Sequence, residues 1–94
     1  MSSYSLKFTK KALKEWEKLD RSIKLQFQKK LKEILQNPTV PANRLIGFEN
    51  VYKIKLRNSG YRLAYEVKEE TIVVLVLKIG KRDKFYENLK KRTQ

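Results

Sequence analysis

The run TIVVLVLKI, residues 71 to 79, constrains this chain more than any other stretch. It is too short to cross a membrane as a helix, and its near-continuous apolar character reads as a strand covered on much of both faces, hence central in a sheet. The rest of the chain must supply its neighbours. Just upstream, YKIKLRNSGYRLAYEV (52 to 67) alternates as a β-hairpin, with arms at 51 to 57 and 61 to 67 joined by NSG, where Asn58 and Gly60 suit a tight turn. The stretch SYSLKF sets Tyr4, Leu6 and Phe8 against Ser5 and Lys7, the period of a short first strand.

Between these strand signals the period changes to that of helices. Thr9 can cap a helix running to about Leu19, with Ala12, Leu13, Trp16 and Leu19 on one stripe. Asp20 or Ser22 can cap a second, whose stripe of Ile23, Phe27, Leu31, Ile34 and Leu35 runs to Gln36 before Pro38 and Pro41 forbid continuation. After Gly80, KRDKFYENLKKR forms a short terminal helix or an ordered tail. The expectation is an α+β fold: an N-terminal strand, a helical hairpin, then a three-stranded antiparallel meander in one sheet packed on the helices, with a short C-terminal helix. The sheet's other face can stay open. At 94 residues the chain is expected to form a single domain, 1–94.

Charge narrows the function. Twenty-three Lys and Arg against ten Asp and Glu leave +13, a self-repulsion that an anionic partner would relieve. Nucleic acid is the first expectation, an acidic protein the second and an anionic membrane the third, and the first two are compatible on one surface. The start MSSYSLKFTKKALKEW lacks a secretory signal's apolar middle, no stretch is long enough to span a bilayer, and cysteine is absent, so a cytoplasmic protein without membrane attachment is expected.

The cations are patterned. Alternation sends Tyr52, Ile54 and Leu56 inward and Lys53, Lys55 and Arg57 outward. On the second arm Tyr61, Leu63, Tyr65 and Val67 go inward, with Arg62, Ala64 and Glu66 outward. Matching the faces sets Arg62 opposite Lys55 or Arg57, so like charges meet in either register, at a cost of a few tenths to about 1 kcal/mol per pair. A solvated strand would avoid that cost with Thr or Gln. Glu66 is expected to be a local counter-charge for the row.

Without histidine or cysteine, a Ser/His/Asp triad, a Cys/His pair and thiol or imidazole metal sites are excluded, and the carboxylates show no metal-binding spacing. Lysine, arginine, tyrosine and isolated acids remain. A lysine among other cations is pushed toward the neutral form that accepts a proton, while arginine stays charged and braces a phosphate bidentately. Such tools suit RNA cleavage by attack of the substrate's own 2′-hydroxyl on the neighbouring phosphate, with no cofactor. On residues alone, a nuclease and a passive RNA-binding module both stay open.

The hairpin followed by IGKRDKFY resembles the RelE toxins of toxin–antitoxin pairs, within the RelE/ParE superfamily, and ALKEWEKLD, KKLKEIL and PANRLIG extend the likeness over nearly the whole chain. The resemblance implies a ribosome-dependent messenger-RNA interferase that cuts the codon in the A site and is neutralised by an acidic antitoxin. It also implies roles. Lys55 is the general base toward the 2′-hydroxyl, Lys53 and Arg62 stabilise the phosphorane, Arg82 assists the leaving oxygen, and Tyr86 stacks on a codon base. Only three residues separate Arg82 from Tyr86, fewer than in the best-characterised RelE toxins, and Phe85 can pack inward while Tyr86 faces the site. Arg57 has no catalytic role in that pattern and is expected to hold backbone phosphate, and Lys81 is expected to give electrostatic support. The alternative within the superfamily is a ParE-like protein that binds DNA gyrase and cuts nothing.

Overall fold

Thr9 starts the helical layer: its Oγ1 accepts the Ala12 N–H at 3.1 Å and satisfies a donor that the first turn would otherwise leave free. The computed structural model describes residues 3–93. Strand β1 spans Ser5–Phe8, helix α1 Lys10–Glu17 and α2 Arg21–Ile34, with Asp20 at the α2 N-cap but no capping bond from its side chain. A single 3-10 turn at Pro41–Asn43 leads to β2 (Val51–Lys55), β3 (Tyr61–Lys68), β4 (Val73–Lys81) and α3 (Phe85–Thr93). No helix among the described residues is long and apolar enough to cross a membrane.

The strands form one sheet in the order β1-β4-β3-β2. The meander β2-β3-β4 is antiparallel and β1 joins β4 in parallel, so the apolar run is interior, as its composition demands. Helices α1 and α2 cover one face. Ala12, Phe27 and Leu31 meet Leu63, Tyr65, Val74 and Val76 there, and burial of Phe27 at 0 % exposure contributes about 2–3 kcal/mol. Leu13 departs from the expected stripe, at 45 % exposed. Ala12 and Trp16 already fill the α1 contact line, which points Leu13 to solvent.

The opposite face is not open. Leu45, Val51, Ala64 and Leu77 are buried there beneath Phe85 and Leu89 of α3. A bulge in β4 helps: the register steps from Ala64↔Lys78 to Tyr65↔Val76, leaving Leu77 as the extra residue. Val76 and Ile79 stay on the helical-hairpin face, while Leu77 and Lys78 both turn toward α3, with Lys78 Nζ 5.6 Å from the Phe85 ring centroid. The chain between α2 and β2 is pinned by Tyr65, whose hydroxyl donates to the Pro38 carbonyl at 2.8 Å. Burial, with Tyr52 stacked beside it, raises the Tyr65 phenol far above its usual range, so it remains a donor.

Candidate active site

The ladder fixes the centre of the cation row. Alternation leaves Lys55 or Arg57 as the partner of Arg62, and the observed register selects Lys55. Strand β2 stops at Lys55, and Leu56 to Gly60 close the turn, with the Gly60 N–H donating to the Leu56 carbonyl at 3.0 Å. Arg57 is therefore an exposed turn residue rather than part of a strand face. On its other side Arg62 faces Gly80 of β4.

Arg62 is not part of an open surface. It is 7 % exposed, its guanidinium carbon lies 5.6 Å from the Tyr86 ring centroid, and its buried Nε has no hydrogen-bond partner among the described residues. The cause is the roof formed by α3. Phe85 drops inward to 1 % exposure and meets Tyr86 edge-on, with ring centroids 5.2 Å apart, which holds the tyrosine over the arginine. Lys84, just before the helix, takes φ 55° to make that entry.

The other expected residues lie on the neighbouring strands and turn: Lys55 faces Arg62 across the ladder, and Lys53 shares a groove with Tyr86. Lys55 is exposed, Lys53 half-buried, and both line an open groove of about 720 Å³ beside Lys30, Asn37, Asn43 and Arg57. Lys81 ends β4 with its Nζ 5.5 Å from the Tyr61 ring centroid. Arg82 is exposed one residue beyond, and its carbonyl accepts the Phe85 N–H at 3.2 Å. Glu66 is not a counter-charge for the row, because it pairs with Lys68 at 3.5 Å and faces Val51 and Leu75 across the ladder. None of the ion pairs found among the described residues involves Lys53, Lys55, Arg57, Arg62, Lys81 or Arg82.

Some neighbours of the row carry no signal in the sequence. Lys30 is one of many lysines on α2, and only the fold places it beside Lys53 and Lys55. Arg44 and Ile46 come from the PANRLIG loop, which has no period, and stand with Lys53 and Tyr86 around a second groove. An apolar residue in a Pro- and Gly-punctuated loop, with no strand to bury it, was the one available cue to Ile46.

Chemically, the arrangement offers several cations without an ion-pair partner among the described residues, carried on three adjacent strands and the turn that leads into α3. One amine, on Lys55, is solvent-facing, and the Arg62 guanidinium, with its Nε short of a partner, has the planar Tyr86 ring beside it. Among the described residues no group of three or more His, Cys, Asp or Glu is placed to hold a metal ion.

A family model described as the ParE toxin of the type II toxin–antitoxin system parDE matches residues 6–86. The mRNA interferase toxin RelE of Escherichia coli is 50% identical over 82 residues, covering 87% of this chain and 86% of that protein. A solved double mutant of E. coli toxin RelE in the free state superposes with a TM-score of 0.88 at 46% identity, over 98% of this chain and 99% of that one. The toxin in the crystal structure of the intact E. coli RelBE toxin–antitoxin complex gives a TM-score of 0.85 at 49% identity, over 86% of this chain and 99% of that one.

Proposed function

Because this chain belongs to the RelE/ParE family of toxins, we propose that it is the toxin of a type II toxin–antitoxin pair, an endoribonuclease that cuts messenger RNA in the ribosomal A site and so stops translation. The E. coli relative at half identity is named an mRNA interferase, and related toxins are solved in complex with their antitoxins. The site supports the same chemistry.

The observation that carries this reading is Arg62. A buried guanidinium nitrogen left without a partner costs about 1–3 kcal/mol, and an arginine beside Lys55 with no ion-paired carboxylate suits the binding of an anion. A scissile phosphate supplies two non-bridging oxygens to such a group. In the proposed step, Lys55 takes the 2′-hydroxyl proton, the 2′-oxygen bonds to phosphorus, and the bond to the 5′-oxygen breaks. Lys53 and Arg62 stabilise the extra charge of the phosphorane, and Arg82 steadies the departing 5′-oxygen while it takes a proton from water. The products carry a 2′,3′-cyclic phosphate and a 5′-hydroxyl. Tyr86 stacks on a base of the codon, while Arg57 and Lys81 hold flanking backbone. The ribosome supplies the extended message and further phosphate for a surface of +13 charge. Such a toxin works in the cytoplasm, where an acidic antitoxin covers the same cations.

The matching family model is described as ParE, which favours a second reading, a gyrase-binding toxin that cuts nothing. Lys53, Lys55, Arg62 and Arg82 count against it, since ParE-type proteins lack that set. Primer extension on translating ribosomes decides between them. Codon-phased cuts that disappear with Arg62→Ala or Arg82→Ala are expected, whereas intact messages together with blocked DNA supercoiling would establish the second reading instead.

A further inference from the structure

Among the described residues, Ile46 is the most exposed large apolar side chain, at 99 % of its full accessibility. Its loop is not loose. The Leu45 N–H donates to the Val51 carbonyl at 2.9 Å, Arg44 bridges to Tyr52, and Leu45 is buried in the outer core, so residues on both sides of the loop are tied to β2. Gly47 at φ 89° and Asn50 at φ 56° turn the chain between those ties. Folding contributes nothing to holding an isoleucine out in water, and the position tolerates a polar residue on every structural ground.

What Ile46 overlooks is a shallow slot of about 280 Å³ shared with Arg44, Leu45, Phe48, Lys53 and Tyr86. Its walls are apolar and its flanks cationic. Lys53 belongs to the row described above, and Tyr86 is a party wall, since its ring also covers the Arg62 guanidinium. The slot is therefore continuous with the reaction centre. Flat apolar walls flanked by two cations fit an unstacked nucleobase with its phosphates, and the volume is small for a peptide helix.

We propose that the Ile46, Phe48 and Tyr86 slot is a nucleobase subsite adjoining the scissile phosphate held by Lys53, with Arg44 on the flanking phosphate, and that Ile46 is a determinant of which codons are cut. The proposal rests on the ribonuclease reading above. Ile46 presses on one side of the base and Tyr86 on the other, so bases of different size and stacking strength fill the slot unequally.

The test compares the unsubstituted protein, Ile46→Ser and, as a control, Leu25→Ser, which removes an exposed apolar side chain from α2 instead. Each is assayed on translating ribosomes by primer extension across a message rich in different codons. Ile46→Ser is expected to keep its melting temperature and to lower cleavage unevenly, by about threefold to thirtyfold between codons, with the pattern of cuts redistributed. Leu25→Ser is expected to leave the pattern as it was. An unchanged pattern with Ile46→Ser, or an equal change with Leu25→Ser, overturns the subsite while leaving the nuclease intact. An unchanged pattern accompanied by weakened binding of the acidic antitoxin also overturns it and assigns the loop to a protein partner. Absence of any cut by the unsubstituted protein would defeat the nuclease reading itself, a separate result.

Discussion

Arg92 of α3 grips Glu15 of α1 through both terminal nitrogens, at 2.8 and 3.0 Å, around the edge of β4. The same carboxylate accepts the Ile79 N–H at 3.0 Å, and Arg92 donates to the Leu77 carbonyl at 3.0 Å. Pairing with β1 ends at Val76, so these two side chains satisfy backbone groups of β4 that no strand reaches. Lys78 joins at 3.4 Å. The clasp thus ties together both helical layers and the strand between them.

Its pH dependence follows from the carboxyl. Burial alone would raise the Glu15 pKa, but the hydrogen bonds from Arg92 and Ile79 and the Lys78 and Arg92 charges outweigh it, holding the group below its ordinary 4.5. A lowered folded-state pKa means that the contribution is present above the ordinary value and is lost as pH falls through the lowered one. Glu15→Gln should cost about 1–3 kcal/mol at neutral pH. In denaturant titrations the gap between the two proteins should be constant above about pH 5 and shrink as acid is added. A gap that widened in acid would contradict the assignment.

Lys55 separates chemistry from folding. It is exposed and makes no ion pair among the described residues, so Lys55→Ala should alter stability by less than about 0.5 kcal/mol. As the proposed general base its loss should slow cleavage by roughly two to four powers of ten. Single-turnover cleavage and a thermal melt on the same preparation check both. A slowed reaction matched by an equal loss of stability would show that the lysine supports the fold instead.

Most of the scaffold could be read from period and punctuation. Thr9, the prolines and the hairpin alternation act through neighbours a few residues away, and those are the interactions a linear pattern contains. The run at 71 to 79 announced two covered faces, yet the cover for the second was missed, because Phe85 and Leu89 are two apolar residues in a strongly charged tail. The bulge at Leu77 broke the period inside an all-apolar stretch, where a change of face leaves no trace. At the site, alternation told which side Arg62 takes but not what lies above it. The Glu15 and Arg92 pair spans 77 residues and has no local signature at all.

The same distinction predicts a contrast between two leucines. Leu75 sits in the middle of the apolar run, but its side chain is only half-buried, packed at the margin of the outer core. Leu63 of β3 is at 0 % exposure in the main core. Leu63→Ala should therefore cost about 2–5 kcal/mol and Leu75→Ala distinctly less. Urea midpoints at constant m-value measure the difference, and equal costs would mean that the two faces contribute alike.

Ile72 offers a gain in stability. It precedes β4 at φ 56°, in the left-handed region, where a β-branched side chain crowds its own backbone at a cost of about 1–2 kcal/mol. Two hydrogen bonds hold it there: its N–H donates to the Glu69 carbonyl at 3.3 Å, and its carbonyl accepts the Ser5 N–H at 2.9 Å, which anchors β1. The side chain is 43 % exposed, so little burial is lost when it is replaced. Asparagine tolerates this conformation and glycine adopts it without steric cost. Ile72→Asn should raise the melting temperature by a few degrees, about what 0.5–1 kcal/mol produces in a domain of this length. Ile72→Gly should gain less, because glycine also widens the unfolded ensemble, and Ile72→Val should gain nothing. A melting temperature lowered by both Asn and Gly would show that the side chain's contacts outweigh the backbone strain.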